Sequence, residues 1–178
     1  LGSVGRTPAA ETFDRMLDTL AHRGPDGRGV RALDDGAVLL GHRRLAIIDL
    51  SADGAQPIGN EDGTVWLTFN GEIYNYRELR EQLQRLGHRF ASRTDSEAIV
   101  HAWEEWGAEC VTRLRGIFAF GLWDQRAKTL FLARDPLGVK PLYYALLDDG
   151  TLLFGSELKS LLAYSGERGG LKRDIDPL

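Results

Sequence analysis

An apolar run, Val65-Trp66-Leu67-Thr68-Phe69, ends on Asn70-Gly71-Glu72-Ile73-Tyr74-Asn75, and the residues beyond it read as the start of a helix. Asn-Gly is the commonest tight-turn dipeptide, but a two-residue hairpin should lead directly into a second strand. None follows here. The segment is therefore a strand that delivers a side-chain amide and a bare glycine N–H to one spot before the chain turns into a helix. Two converging donors suit an oxyanion hole, where they stabilise charge that develops during acyl transfer.

The same mixture of elements recurs along the chain. Thr7-Pro8 predicts a helix start, with Thr7 as N-cap and Pro8 in the first turn. Phe13, Met16, Leu17 and Leu20 then fall on one helical face, and Gly24-Pro25 stops it. Val38-Leu39-Leu40 and Leu45-Ala46-Ile47-Ile48 are strand candidates. Residues 50–63 are rich in Ser, Gly, Asn, Asp and Pro and read as a loop. Asn75 with Glu78, and Thr94 with Glu97, form capping-box patterns. The first opens a helix with Leu79, Leu83 and Leu86 inward and Gly87 at its end. The second opens a helix through Trp103 and Trp106 that ends at Gly107, followed by a short helical piece through Val111 and Leu114. Ile117–Trp123 pairs with Thr129–Ala133, and Leu142–Leu147 with Thr151–Phe154 across Asp148-Asp149-Gly150. Glu157–Ala163 reads as a short helix. Hairpins grouped with helices predict an α+β fold with antiparallel sheets.

Composition narrows the function classes. With 43% hydrophobic and 27% charged residues, 178 residues make one soluble domain with a core of its own. A single cysteine, Cys110, excludes an intrachain disulfide and fits a reducing compartment, so a cytoplasmic location is expected. A net charge of −4 without a basic stripe argues against nucleic-acid binding. No apolar run approaches the roughly 20 residues that span a bilayer, and no signal peptide is evident. The four histidines and the cysteine lack metal-ligand spacing, so no metal is expected.

Further motifs flank the opening segment. Upstream stand His22-Arg23-Gly24-Pro25-Asp26-Gly27 and Gly41-His42-Arg43-Arg44-Leu45-Ala46-Ile47-Ile48-Asp49. Downstream stand Ser92-Arg93-Thr94-Asp95-Ser96-Glu97 and Ala133-Arg134-Asp135-Pro136-Leu137-Gly138-Val139-Lys140-Pro141-Leu142-Tyr143-Tyr144. In this order, the series resembles the N-terminal glutaminase domain of asparagine synthetase B-type enzymes. These are class II glutamine amidotransferases with an N-terminal-nucleophile hydrolase fold. The resemblance runs from about Phe13 to Leu162. It implies a four-layer α/β/β/α sandwich and hydrolysis of L-glutamine to glutamate and ammonia.

Glutamine presents an α-carboxylate, an α-ammonium and an amide, which call for a cation, an anion and carbonyl-polarising donors. By resemblance, Arg44 takes the carboxylate, and the backbone of Leu45, Ile47 and Ile48 lines the same pocket. Asp95 receives the ammonium, Glu72 belongs to the binding segment, and Asn70 with the Gly71 N–H forms the oxyanion hole. Each has a plainer reading. Arg44 could be a solvated arginine, Asp95 a partner of the helix dipole, Glu72 a surface carboxylate and Gly71 a turn residue. His22 and His42 are read as structural. Arg134, Asp135 and Lys140 are read as ordering the loop around Gly138, with no catalytic role.

The resembled family attacks its substrate with a cysteine at the first residue of the mature chain, whose α-amine can act as base. This sequence begins Leu1-Gly2-Ser3-Val4, and the expectation is that the N-terminal strand is absent. Two accounts stay open. A leading segment with the cysteine lies upstream of Leu1, or the parent protein lacks it, as in β-lactam synthetase-like relatives that keep a non-catalytic domain docked on a synthetase domain. Retention of Arg44, Asn70, Gly71, Glu72 and Asp95 favours the first, and residues 1–178 alone are expected to be inactive. An unrelated α+β binding module leaves the ordered motifs unexplained. Residues 1–170 are expected to form the amidotransferase domain, and residues 171–178 to begin a linker to a synthetase domain. No cofactor is expected in the domain itself. ATP and Mg²⁺ belong, by resemblance, to the synthetase domain that receives the ammonia, and a homodimer is compatible with the family.

Overall fold

The computed structural model describes residues 1–45, 54–166 and 169–171. In chain order its strands are β1 (Gly2–Val4), β2 (Gly27–Leu33), β3 (Val38–Arg44), β4 (Ile58–Gly59), β5 (Val65–Ile73), β6 (Gly116–Asp124), β7 (Thr129–Arg134), β8 (Tyr143–Leu146), β9 (Leu152–Gly155), β10 (Ser165–Gly166) and β11 (Gly169–Gly170). The α-helices are α1 (Ala10–Asp18), α2 (Tyr76–Arg85), α3 (Asp95–Trp106) and α4 (Leu158–Leu162). One antiparallel sheet runs β2-β3-β1-β9-β8 and the other β4-β5-β6-β7, with β10-β11 as a separate ribbon.

Three apolar layers bind these elements into an α/β/β/α sandwich. Phe13, Met16, Leu17 and Leu20 pack with Leu153 and Leu161, joining α1 and α4 to the outer face of the five-stranded sheet. Leu67, Phe69 and Phe120 meet Leu79, Ile99 and Val100 under α2 and α3. Between the sheets lie Leu33, Val38, Leu40, Trp123 and Phe154. Phe154 fits because glycines flank it: a Cβ on Gly2 would lie 2.3 Å from its ring, and one on Gly121 2.4 Å. Each buried Phe or Leu side chain stabilises the fold by about 1.5–3 kcal/mol.

The expected lack of an N-terminal strand is corrected. Gly2–Val4 forms β1 at the centre of the five-stranded sheet, paired with both β3 and β9. Its sequence reads poorly as a strand because Gly2 makes room for Phe154 and Ser3, although fully buried, is polar. The sequence reading also passed over β2, an edge strand whose residues are mostly exposed and lack apolar alternation.

Several helix ends differ from expectation. The first helix begins at Ala10 without a side-chain cap, because the Thr7 hydroxyl donates to Gly36 O at 2.6 Å instead. Asn75 precedes α2 but bridges to another segment, donating to Arg113 O and accepting from Arg115 N. Thr94 does cap α3, accepting from Glu97 N. Leu86, expected to face inward, is 51% exposed beyond the end of α2. Leu45 lies outside β3 and is exposed; Ala46, Ile47, Ile48 and the 172–178 part of the expected linker lie outside the described residues.

Candidate functional site

The Asn70-Gly71 pair sits inside a strand, not a turn. Asn70 pairs with Ala119 and Gly71 with Phe118 as β5 runs unbroken beside β6. A side chain at position 71 would place its Cβ 2.1 Å from Ile117 O, so the close approach of these strands requires glycine. Thr68 and Asn70, two residues apart, share one face of β5. The Thr68 hydroxyl donates to Gly41 O at 3.1 Å, which binds that face to β3.

Three further elements converge on the same place. β3 brings His42 and Arg44, β1 begins beside it with Leu1, and α3 brings Asp95 at its N-terminus. Ile73 N donates to Asp95 Oδ2 at 2.9 Å, tying the end of β5 to the start of α3. The result is a cavity of about 300 Å³ lined by Leu1, Arg44, Leu45, Asn70, Gly71, Glu72 and Asp95 among others. Every sequence-predicted site residue among the described ones lines it. Ile47 and Ile48 lie outside the described residues.

Two of its polar groups, Asn70 and Asp95, are in unusual settings. Asn70 Nδ2 is buried without a hydrogen-bond partner among the described residues. A buried, unpaired amide donor is costly and calls for an acceptor from elsewhere. Burial pushes the Asp95 carboxyl above the usual carboxylate range, against hydrogen bonds from backbone N–H groups including that of Ile73, and Glu72 pushes the same way. A cation placed between these two carboxylates would relieve both effects.

Leu1 reaches the cavity directly. Its amino nitrogen donates to Gly41 O at 3.1 Å, and burial pushes that amine down to about 5. Desolvation, with the positive charges of the Leu1 amine and Arg44, pushes the His42 imidazole down to about 3. His42 therefore remains neutral in the cavity wall. Its period-two spacing from Arg44 on β3 puts both residues on one strand face, a signal present in the sequence. Gln56 is another wall residue that went unnoticed; its Oε1 accepts from Phe69 N at 2.7 Å.

Cys110 is elsewhere. It is fully buried among Leu83, Ala102 and neighbouring aromatic residues, and burial pushes its thiol up to about 11. A neutral thiol in an apolar cluster is no nucleophile. Asp135 orders its loop as expected, accepting from Phe118 N, Val139 N and Lys140 N, and Gly138 takes a left-handed conformation beside Arg134.

The family model described as a glutamine amidotransferase domain matches residues 2–175. The chain belongs to that glutamine amidotransferase domain family. Among curated relatives of this amidotransferase domain, asparagine synthetase [glutamine-hydrolyzing] 3 of Bacillus subtilis is 44% identical over 86% of the chain and 25% of its own length. Asparagine synthetase [glutamine-hydrolyzing] 2 of Arabidopsis thaliana is 44% identical over 99% of the chain and 32% of its own length. The chain thus spans about a quarter to a third of these relatives. The glutamine phosphoribosylpyrophosphate amidotransferase structure from Bacillus subtilis superposes with a TM-score of 0.78, covering 99% of this chain and 45% of that one at 23% identity. That likeness establishes the shared fold. Among the described residues, no helix is long and apolar enough to cross a membrane.

Proposed function

We propose that the cavity binds L-glutamine, with the Arg44 guanidinium on the α-carboxylate, Asp95 and Glu72 around the α-ammonium, and Asn70 Nδ2 with the Gly71 N–H on the side-chain carbonyl. The observation that carries this reading is the buried, unpaired Asn70 amide in a cavity that also holds Arg44 and Asp95. The reaction matching this arrangement is glutamine hydrolysis, in which a thiolate attacks the amide carbon, the oxyanion forms at Asn70 and Gly71, the amide nitrogen takes up a proton and leaves as ammonia, and water then cleaves the thioester to glutamate and free thiol. Leu1 offers no nucleophile, and its side chain packs with Phe13, Met16 and Leu153 in the apolar layer under α1 and α4. Residues 1–178 by themselves would therefore bind glutamine without hydrolysing it.

In the longer arrangement of its relatives, this domain, residues 1–170, would adjoin a synthetase domain through a linker opening at residues 171–178. That partner would use ATP and Mg²⁺ to amidate a carboxylate, with aspartate the first acceptor to test, in a cytoplasmic homodimer. ATP and Mg²⁺ are not assigned to this cavity. Two carboxylates at its rim oppose a triphosphate, and the sequence has no Ser-Gly-Gly-x-Asp-Ser phosphate loop. A second reading is a degenerate domain that only docks on the synthetase, and the remoteness of Cys110 from the cavity favours it.

Calorimetric titration with L-glutamine and a glutaminase assay on the same sample separate these readings. The proposal expects saturable binding of L-glutamine, none of D-glutamine, and no ammonia release. Absence of any glutamine binding would leave the docking role alone.

A further inference from the structure

The loop after α2 brings His88 against His101 and Glu104, which stand one helical turn apart on α3. None of the three lines the glutamine cavity. The two Nδ1 atoms point at one carboxylate oxygen: His101 Nδ1 lies 2.7 Å from Glu104 Oε2 and His88 Nδ1 3.7 Å from the same atom. One suitable donor atom from each of the three residues lies within 4.8 Å of the others.

Each of these groups is also held from behind. His88 Nε2 lies 3.1 Å from Glu105 Oε2, and His101 Nε2 lies 3.7 Å from Glu97 Oε1. The second oxygen of Glu104 accepts from Asn60 Nδ2 at 2.7 Å. Glu97 is itself fixed by the Ala91 and Ser92 N–H groups and the Ser92 hydroxyl. A carboxylate behind each imidazole can hold the proton on Nε2, so that Nδ1 becomes the coordinating atom once its own proton is displaced, and it raises the basicity of the ring; this is the usual outer arrangement of histidine metal ligands. His101 is buried while His88 and Glu104 are partly exposed, so the convergence point has a buried floor and an approach from solvent.

We propose that His88 Nδ1, His101 Nδ1 and Glu104 Oε2 form a binding site for a divalent transition metal of the zinc type, with water as the fourth ligand. Two imidazoles and one carboxylate suit zinc, nickel or cobalt better than magnesium or calcium. Bonds of about 2.0 Å at tetrahedral angles separate ligand atoms by about 3.3 Å. His88 and Glu104 are close to that separation, and His101 and Glu104 reach it by parting roughly half an ångström. The ion would replace the proton shared by His101 and Glu104. It would also tie the α2–α3 connection and Asn60 to the helix that presents Asp95.

The test is a Zn²⁺ titration of the EDTA-treated 178-residue chain by calorimetry, together with Co²⁺ visible absorption as a readout of tetrahedral coordination. The expected result is one Zn²⁺ per chain and a higher melting temperature. His88→Ala and Glu104→Gln should each abolish the Co²⁺ spectrum, and Glu105→Gln should weaken Zn²⁺ binding about 10–100-fold. Glu105 is more exposed than His88, His101 or Glu104, so its variant should fold even if a change at the more buried positions does not. Absence of stoichiometric Zn²⁺ binding, or equal affinity in folded His88→Ala and Glu105→Gln proteins, would overturn the proposal.

Discussion

Leu1 and Gly41 exchange two backbone hydrogen bonds, Leu1 N to Gly41 O at 3.1 Å and Gly41 N to Leu1 O at 2.8 Å. This reciprocal pair extends the β1–β3 ladder by one residue and holds Leu1 at the wall of the cavity that Asn70 also lines. The amine there, pushed down to about 5 by burial, is unprotonated at neutral pH and can accept a proton. Leu1 itself brings no side-chain nucleophile. A Leu1→Cys chain with a free α-amine should therefore gain glutaminase activity. That activity should appear as pH rises through about 5, where the amine loses its proton, and fade below it. A pH-resolved ammonia-release assay checks this, and an inactive Leu1→Cys protein that still binds glutamine would separate position 1 from the chemistry.

In that active background, Asn70→Ala should lower kcat by about 10²–10³, the loss typical of one oxyanion donor. KM should change far less, because the interaction strengthens as the oxyanion forms. Steady-state kinetics decide the matter, and a loss confined to KM would make Asn70 an ordinary binding contact.

Arg44→Ala should weaken L-glutamine binding by about 1.5–3 kcal/mol, the scale of hydrogen bonds to a charged group. Competition by glutamine analogues lacking the α-carboxylate gives an independent check. If Arg44 anchors that group, the variant should no longer discriminate against them.

How far the sequence revealed this site depended on whether a residue's role is local. Asn70-Gly71 was legible because a strand leading into a helix leaves no room for the hairpin that Asn-Gly otherwise signals. Thr94 was legible as a cap because its partner, the Glu97 N–H, is three residues away. Asn75 carries the same pattern but was misread, since its bonds go to Arg113 and Arg115, nearly forty residues on. β1 was hidden for a similar reason: Gly2 answers the ring of Phe154, which is distant in sequence. The His88 cluster was invisible to ligand spacing because His88 comes from the loop after α2 while His101 and Glu104 stand on α3, and its third member is a carboxylate.

Asp95 illustrates a conflict between stability and binding. Its carboxyl is pushed above the usual range by burial, so the folded state holds that proton more tightly than the unfolded chain does. Stability attributable to Asp95 should then fall as pH rises from the unfolded value toward the raised folded one, and remain lower above both. Asp95→Asn should raise the melting temperature of the ligand-free protein at neutral pH. The same change should weaken glutamine binding by about 1.5–3 kcal/mol. In the unsubstituted protein, affinity should decline on acidification through the raised Asp95 value, since protonation removes the ammonium's partner. Paired melting and calorimetric series test both halves; a variant that loses stability would show that hydrogen bonding from Ile73 N outweighs burial.

Ser3 offers a change that leaves the cavity chemistry alone. It is fully buried in the central strand, and its hydroxyl has no partner among the described residues. Ser3→Ala removes the unpaired group with little loss of volume and should stabilise the fold by about 1 kcal/mol. Urea unfolding at constant m-value would register this as a higher midpoint.

Gly71→Ala should act through the backbone. The added Cβ would sit 2.1 Å from Ile117 O and 2.7 Å from Phe118 Cα, both backbone atoms of the paired strand, so no side-chain rotation can clear it. β5 and β6 must spread, which should cost about 1–3 kcal/mol, the usual range for overpacking. The spreading also moves the Gly71 N–H away from the spot that Asn70 Nδ2 faces. Glutamine binding should therefore fall even though every charged anchor remains. Urea unfolding and calorimetry on one preparation distinguish the two effects. A Gly71→Ala protein with wild-type stability and affinity would mean that the strands part freely, and that the glycine is not required by their close approach.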